Sequence, residues 1–151
     1  MCVTKRLIIV ALAIFGAASA NLIDNGICIV ITHGDQVMHE LKPGQENPFD
    51  VYMIPKGKEY DDQRWILEST QDGYFKLKNK FSGRFLGGDS VLVTTEASAS
   101  TTNQFKFNAA DGTDKYDISN RVGGHIQSQG GNDQVKVAES EDSFTVKQCE
   151  E

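Results

Sequence analysis

The chain has 151 residues, of which 39% are hydrophobic and 24% are charged, and its net charge is −6 at pH 7. This length corresponds to one domain on the usual range of roughly 100 to 200 residues. Nucleic acids and anionic membrane surfaces carry negative charge themselves, so an acidic chain is disfavoured as their partner. We therefore expect a single domain that binds neither.

The first twenty residues have the three parts of a secretory signal peptide. Lys5 and Arg6 form a charged start, Leu7 to Phe15 is an apolar run, and Ala18-Ser19-Ala20 provides the small residues of a cleavage site. Removing residues 1–20 leaves a mature chain that begins at Asn21 and has a net charge of about −8, since both lost charges are basic. The apolar run is shorter than the ~20 residues that span a bilayer. We expect a secreted, extracellular protein without membrane insertion.

After residue 20, short runs of alternating apolar and polar residues are separated by turn residues. Alternation with a period of two is typical of half-buried strands. Pairs such as Asp72-Gly73, Asp111-Gly112 and Gly123-Gly124 supply the positive φ values of tight turns. The sequence predicts an all-β fold with strands, in chain order, around Ile27-Cys28-Ile29, Val37-Met38, Val51-Tyr52-Met53, Trp65-Ile66-Leu67, Phe75-Lys76-Leu77, Phe85-Leu86-Gly87, Val91-Leu92-Val93, Phe105-Lys106-Phe107, Tyr116-Asp117-Ile118, His125-Ile126, Val135-Lys136-Val137 and Phe144-Thr145-Val146.

An aromatic residue recurs near the end of each third of the mature chain. Trp65, Phe105 and Phe144 each open an apolar-polar-apolar triplet, at separations of 40 and 39 residues. A strand-based period of this size indicates three β units that bury their faces against one another. We place the units at about 21–70, 71–110 and 111–151, within one domain over 21–151. The extra length of the first unit falls in an inserted loop between Leu41 and Pro48.

The repeated apolar residues are predicted to form the core. A small closed sheet fills its interior with large side chains, and burial of each contributes ~1.5 to 3 kcal/mol. Trp65 has an alternative role in stacking on a sugar, but Phe stands at the two matching places, so we assign it to the core. The predicted core residues are Trp65, Leu67, Phe75, Leu77, Phe105, Phe107, Tyr116, Ile118, Phe144 and Val146.

Two cysteines remain after the signal peptide, which carries Cys2, is removed. Cys28 lies near the start of the mature chain and Cys149 near its end. An even count in a secreted chain is normally a disulfide, and the alternative is two unpaired thiols. A bridge requires the two Cα atoms to lie within ~7 Å of each other. It would therefore make the first and last strands neighbours.

Residue patterns typical of catalysis are not found. The chain has three histidines, and no third ligand of defined spacing accompanies His33 and His39. There is no Gly-x-Ser-x-Gly elbow and no phosphate-binding glycine loop. The acidic pair Asp61-Asp62 and the run from Glu139 to Asp142 are interpreted as solvated turns. We expect a non-enzyme without a cofactor or a bound metal.

The middle of the chain resembles the ricin-B-like β-trefoil proteins. Residues 72–79, followed by Ser82-Gly83-Arg84-Phe85-Leu86, are similar to the recurring trefoil phrase, and Gln63-Arg64-Trp65 is similar to the Gln-x-Trp motif. Unit two closes with Asn103-Gln104-Phe105, where the Gln is shifted by one place, and unit three with Asp142-Ser143-Phe144, which lacks it. The resemblance implies a six-stranded barrel capped by three hairpins, with adjacent first and last strands.

The same resemblance implies a carbohydrate-binding lectin as one alternative function. Ricin-like sites hold sugar hydroxyls with an Asp or Asn and the apolar face of the sugar with an aromatic ring. Because the Gln-x-Trp motif appears once, we rank this function second. The candidate sugar-binding residues are Asp72, Tyr74, Asn79 and Asp89 in unit two, and Asp114, Tyr116 and Asn120 in unit three.

Our first hypothesis is a monomeric effector that binds an extracellular protein, or a cell-surface receptor or channel, through its loops. Loops on a rigid scaffold vary without harming the core. The candidate surface comprises residues 42–47, the segment from Ile54 to Tyr60 and the polar run from Thr94 to Thr102. A third alternative is a protease inhibitor that presents Lys56 or Lys58 beside Gly57.

The size, export signal, acidity and end-to-end cysteine pair also resemble the small salivary erythema proteins of black flies. That resemblance implies a vasodilator that acts at the bite. Its partner would be a vascular cell-surface protein that controls smooth-muscle tone.

Overall fold

The computed structural model describes residues 22–41, 49–96 and 100–151. These residues contain two 3-10 turns, Asp61–Gln63 and Thr101–Asn103, and no helix among them is long and apolar enough to cross a membrane. The thirteen strands of the described ranges are β1 (Cys28–His33), β2 (Gln36–Leu41), β3 (Phe49–Pro55), β4 (Trp65–Ser69), β5 (Phe75–Asn79), β6 (Phe85–Gly87), β7 (Val93–Thr95), β8 (Phe105–Ala109), β9 (Lys115–Asn120), β10 (His125–Gln127), β11 (Asp133–Gln134), β12 (Lys136–Ala138) and β13 (Phe144–Gln148). The all-β class predicted from the sequence is confirmed.

Three of the sequence predictions fall wholly or partly outside the described residues. They are the signal peptide with its cleavage point before Asn21, the inserted loop at 42–48, and positions 97–99 of the polar run.

Six strands close a ring of antiparallel pairs. β1 pairs with β4 and β13, β5 pairs with β4 and β8, and β9 pairs with β8 and β13. In the pair that closes the ring, Ile31 lies opposite Val146 and Ile29 lies opposite Gln148. Long-range pairing between the two ends of the chain therefore completes the ring.

Three hairpins cover the ring, one from each third of the chain. β2 pairs with β3, β6 with β7, and β10 with β12. Contacts also join the hairpins to one another, because β3 pairs with both β7 and β11. The hairpins thus form one connected layer.

A cycle of three backbone hydrogen bonds lies where the hairpins meet. The Val51 N–H donates to the Leu92 carbonyl at 3.2 Å, Leu92 N–H donates to the Val135 carbonyl at 2.8 Å, and Val135 N–H donates to the Val51 carbonyl at 2.9 Å. All three residues are fully buried. Since each unit gives one residue and the bonds run in a circle, the cycle marks a pseudo-threefold axis.

The cycle also explains where the strands differ from the sequence prediction. The predicted strand at 91–93 is replaced by β7, which begins at Val93, while Val91 forms an isolated bridge with Lys136. The predicted strand at 135–137 is divided into β11 and β12. A backbone N–H has a single hydrogen and donates to one ladder partner at a time. Leu92 and Val135 therefore leave their own hairpin ladders to join the cycle.

The core contains the three recurring aromatic residues. Trp65, Phe105 and Phe144 are fully buried, together with the predicted core residues Leu67, Leu77, Ile118 and Val146. Phe75, Phe107 and Tyr116 are partly buried and pack against this core. The Phe107 ring lies edge-on to both neighbours, with centroid distances of 6.4 Å to Phe75 and 6.1 Å to Tyr116. The hairpins add further fully buried residues: Met38, Val51, Met53, Leu86, Leu92, Ile126 and Val135.

The disulfide predicted from the cysteine count joins Cys28 to Cys149. Their Cα atoms are 5.4 Å apart, and their sequence separation is 121 positions. The Cys149 N–H donates to the Cys28 carbonyl at 3.0 Å, so the bridge extends the pairing of β1 with β13. The first and last strands are therefore linked covalently at the ring closure.

We expect the Cys28→Ser/Cys149→Ser double variant to fold and to lose about 2 to 5 kcal/mol of unfolding free energy, because the unfolded chain is no longer constrained by a loop of this size. Urea denaturation of the oxidised wild type and of the variant measures the difference. The reduced wild type is the matched control and should give the variant's value. A loss below about 1 kcal/mol would contradict this role of the bridge.

Candidate functional site

The Gln-x-Trp motif has a structural counterpart in each unit. Gln63 and Asn103, which stand two residues before Trp65 and Phe105, are both nearly buried. The Asn103 side-chain amide donates to the Leu86 carbonyl at 2.9 Å. In unit three the Asp142 carboxylate accepts from the Ser128 N–H at 3.0 Å. Asn103, and not the shifted Gln104, therefore occupies the motif position in unit two.

A cation covers the candidate sugar platform of unit two. The Arg121 guanidinium lies 4.7 Å from the centre of the Tyr74 ring, and its Nη2 is 2.7 Å from an Asp72 carboxylate oxygen. The Lys106 ammonium lies 5.8 Å from the centre of the same ring. Cations over an aromatic face are attracted by its quadrupole. Two of the predicted sugar-binding residues thus meet at one place, where Arg121 contacts both of them.

Arg121 was not predicted from the sequence, because it lies 49 residues from Asp72. Its Nη1 donates to the Gln71 carbonyl and to the Gln104 side-chain oxygen, both at 3.2 Å. The Asp72 side chain is 72% exposed. Exposed ion pairs contribute ~0 to 1 kcal/mol, so a ligand with matching hydroxyls can displace this one at small cost.

Asn79 and Asn120 hold turns in the structure. The Asn79 side-chain oxygen accepts from the Phe81 and Ser82 N–H groups at 3.1 and 3.3 Å, and its NH2 donates to the Asp62 carbonyl at 2.9 Å. The Asn120 side-chain oxygen accepts from the Gly124 N–H at 2.8 Å. Both residues are almost fully buried. Their amides stabilise the turns that start the hairpins of units two and three.

The remaining candidates of units two and three are not gathered into one cluster. Asp114 is exposed in a turn with a positive φ of 57°, whereas Tyr116 is partly buried against Phe107. Asp89 is exposed in the connection between β6 and β7. The structure therefore brings Asp72 and Tyr74 together through Arg121, and leaves Asp89 and Asp114 as separate surface carboxylates.

One of the predicted binding segments follows β3 and is largely exposed, while hydrogen bonds hold its base. Residues 55–58 and Tyr60 are exposed, and Tyr60 keeps 54% of its surface accessible. The candidate inhibitory residues Lys56 and Lys58 are in this exposed part. The Lys56 N–H donates to the Asp35 carbonyl at 2.8 Å, and the Lys58 ammonium lies 5.8 Å from the Tyr60 ring centre. We call residues 55–60 the projecting segment.

Arg64 braces the projecting segment against the end of the chain. Its Nη2 and Nε donate to the Glu59 carboxylate at 2.6 and 3.0 Å, and its Nη1 donates to Asp61 at 2.9 Å. Nη2 also lies 3.2 Å from the Glu150 carbonyl, and the Glu150 N–H donates back to Glu59 at 3.0 Å. Because Cys149 precedes Glu150, the segment is braced beside the disulfide.

A cleft of about 210 Å³ lies between the projecting segment and the end of β13. Its lining includes two basic and two acidic side chains. The charged residues that line the cleft are Lys56, Glu59, Lys147 and Glu150.

The brace alters two pKa values. The hydrogen bond from Arg64 is the main cause that lowers the pKa of Asp61, and the charge of Lys80, 3.6 Å away, acts in the same direction. Hydrogen bonds to Glu59 and Asp61 raise the pKa of Arg64. The ion pair therefore persists at any pH where Asp61 is ionised.

A lowered folded-state pKa means that Asp61 stabilises the fold above its ordinary pKa of 3.8 and that this stabilisation is lost as the pH falls through the lower folded value. We expect Asp61→Asn to be less stable than the wild type at pH 7, and the two to converge below pH 3.8. Urea denaturation across this pH range measures both. A difference that stays constant over the acid range would contradict the ion pair's role.

Among the described residues, one group places three metal-ligand side chains together: Asp117, His125 and Glu141. The sequence analysis interpreted the run that contains Glu141 as a solvated turn, because only the pairing of β9, β10 and β12 brings these three residues of unit three together.

The closed ring, the three hairpins and the hydrogen-bond cycle define a β-trefoil. Solved structures agree with this class. A Culex salivary protein of the Cysteine and Tryptophan-Rich family is 16% identical with a TM-score of 0.67, covering 84% of this chain and 97% of that one. SeviL bound to asialo-GM1 saccharide is 14% identical with a TM-score of 0.66, covering 83% of this chain and 100% of that one. The predicted β-trefoil fold is confirmed.

Comparison of sequences gives the family. The family model described as ricin-type β-trefoil lectin domain-like matches residues 61–139. Erythema protein SVEP of Simulium vittatum is 54% identical over 153 residues, and the match covers 100% of both chains. The chain belongs to the ricin-type β-trefoil lectin-like family and is a homologue of this black fly erythema protein.

Proposed function

We propose that the protein is a secreted, non-enzymatic effector that dilates blood vessels at the bite of a blood-feeding insect. The observation that carries this proposal is the 54% identity to an erythema protein over the whole of both chains. Erythema is reddening of the skin, which widened superficial vessels produce. The disulfide between Cys28 and Cys149 agrees with an extracellular setting, where disulfides persist.

The projecting segment supports a protein partner. Its tip is exposed, and the Arg64 brace fixes its base before any partner arrives. A binding segment that is already ordered loses little conformational freedom on association. Tyr60 provides a large exposed aromatic side chain, the kind of residue that is enriched at interface hot spots. The partner is an extracellular or cell-surface protein, a receptor or channel of vascular tissue.

We expect the pure secreted protein to relax a pre-contracted vessel ring at micromolar dose or below. Tyr60→Ala should raise the half-maximal dose at least tenfold, which corresponds to a hot-spot loss of about 1.4 kcal/mol or more. Dose–response curves on isolated rings measure this.

The matched control is Val122→Ala, which truncates another exposed apolar side chain, 60% accessible, in a turn of unit three. It should leave the dose unchanged. A wild-type protein that fails to relax the ring would remove the vasodilator function, and equal potency of both variants would remove the projecting segment as its binding surface.

A lectin function is the second candidate. It is favoured by the match of residues 61–139 to the ricin-type family model and by the Asp72–Arg121 pair beside Tyr74. A sugar would take the place of the Arg121 guanidinium on the Tyr74 ring. Its hydroxyls would donate hydrogen bonds to the Asp72 carboxylate and accept them from Arg121. This function and the effector function differ in their partner, so one experiment separates them.

A glycan array gives that separation. If the protein is a lectin, we expect defined glycans to bind, and we expect the signal to fall at least tenfold for Asp72→Ala or Asp114→Ala. Asp111→Ala, which removes an exposed carboxylate in the turn before β9, is the control and should bind normally. An array without binding would exclude the lectin function.

A further inference from the structure

Each of the three histidines lies beside an aspartate. His33 Nε2 is 3.2 Å from Asp142, His39 Nδ1 is 3.4 Å from Asp62, and His125 Nδ1 is 2.9 Å from both carboxylate oxygens of Asp117. Among the residues that the structure describes, the His125 pair alone has a further carboxylate close enough to share an ion, that of Glu141. One donor atom from each of these three residues lies within 4.8 Å of the others.

Three different segments supply the group. Asp117 is in β9 and His125 is in β10, and these strands pair with His125 opposite Ser119. Glu141 follows β12 in the connection to β13. Asp117 is 7% exposed, whereas Glu141 is exposed. The group therefore has two members on paired strands and a third in an exposed connection.

Neighbouring polar groups surround the fixed carboxylate. The Asn108 side-chain NH2, in β8, lies 3.5 Å from an Asp117 carboxylate oxygen and 3.2 Å from the Ser119 hydroxyl. β8 and β9 pair with Asn108 opposite Asp117. Polar groups of this kind orient metal ligands in known sites. Asp117 is thus held from two sides, by His125 and by Asn108.

We propose that Asp117, His125 and Glu141 bind one divalent transition-metal ion of the zinc type. An imidazole with two carboxylates is a ligand set that zinc accepts, and the two negative charges balance the charge of the ion. Ligand atoms ~2.0 to 2.2 Å from zinc stand roughly 3 to 3.5 Å apart. The Asp117–His125 spacing already approaches this value, and Glu141 closes the remaining gap.

A coordinating imidazole must be neutral, so His125 would bind the ion through Nδ1 and carry its ring proton on Nε2. Water completes the coordination from the exposed side. Calcium and magnesium are disfavoured, because they require six or more oxygen ligands, or several retained waters, and gain little from an imidazole. The site does not depend on the proposed effector function.

Zinc titration of the chelator-stripped secreted protein, followed by calorimetry, tests the proposal. We expect one zinc ion per chain and a rise of the thermal unfolding temperature with zinc, because the ion binds the folded state. His125→Gln should abolish the binding. Glu141→Gln, whose exposed side chain leaves the fold intact, should weaken it at least about tenfold.

Two controls separate this site from general surface binding. Glu139→Gln removes an exposed carboxylate two residues from Glu141, and His33→Gln removes the imidazole of a pair that is not in the three-ligand group. Both should retain the wild-type affinity. No heat of binding up to millimolar zinc, or equal affinities for Glu141→Gln and Glu139→Gln, would overturn the proposal.

Discussion

The cycle of hydrogen bonds among Val51, Leu92 and Val135 is the constraint that the rest of the structure depends on. Each bond links one unit to the next, so no hairpin can shift its register alone. The groups are fully buried, where an unpaired backbone group costs about 1 to 3 kcal/mol. Below the cycle, the ring closes through β1 and β13, and the Cys28–Cys149 bridge secures that closure. The fold is therefore cooperative across units that are far apart in the chain.

Both proposed sites lie where the three units stop being equivalent. The projecting segment belongs to unit one alone and is braced by Arg64 against Glu59 and Glu150. The three-ligand group uses the His125 of unit three, whereas the turn of unit two leads to Phe85 at the corresponding strand start. The hydrogen-bond cycle and the buried core fix the scaffold. Surface segments can therefore differ between the units without changing the packing of the core.

The fold was largely predictable from the sequence, whereas the contacts at the candidate sites were not. Trp65, Phe105 and Phe144 reveal the units because each unit must bury a large ring, a requirement that selects residue type. The hydrogen-bond cycle does not select residue type, since every residue except proline has both an N–H and a carbonyl. The sequence therefore does not predict the strand boundaries near Leu92 and Val135 correctly. Arg121 reaches Asp72 through the pairing of β5, β8 and β9, and Glu141 reaches Asp117 through the pairing of β12, β10 and β9, so local spacing could not pair them.

Hydrogen exchange of the Val51, Leu92 and Val135 amides, followed by NMR in the native state, tests the central claim most directly. If the cycle joins the three units, opening any of its bonds requires the units to separate, and all three amides should exchange with the free energy of global unfolding. A cycle amide that exchanges through local opening, orders of magnitude faster than the other two, would contradict the account.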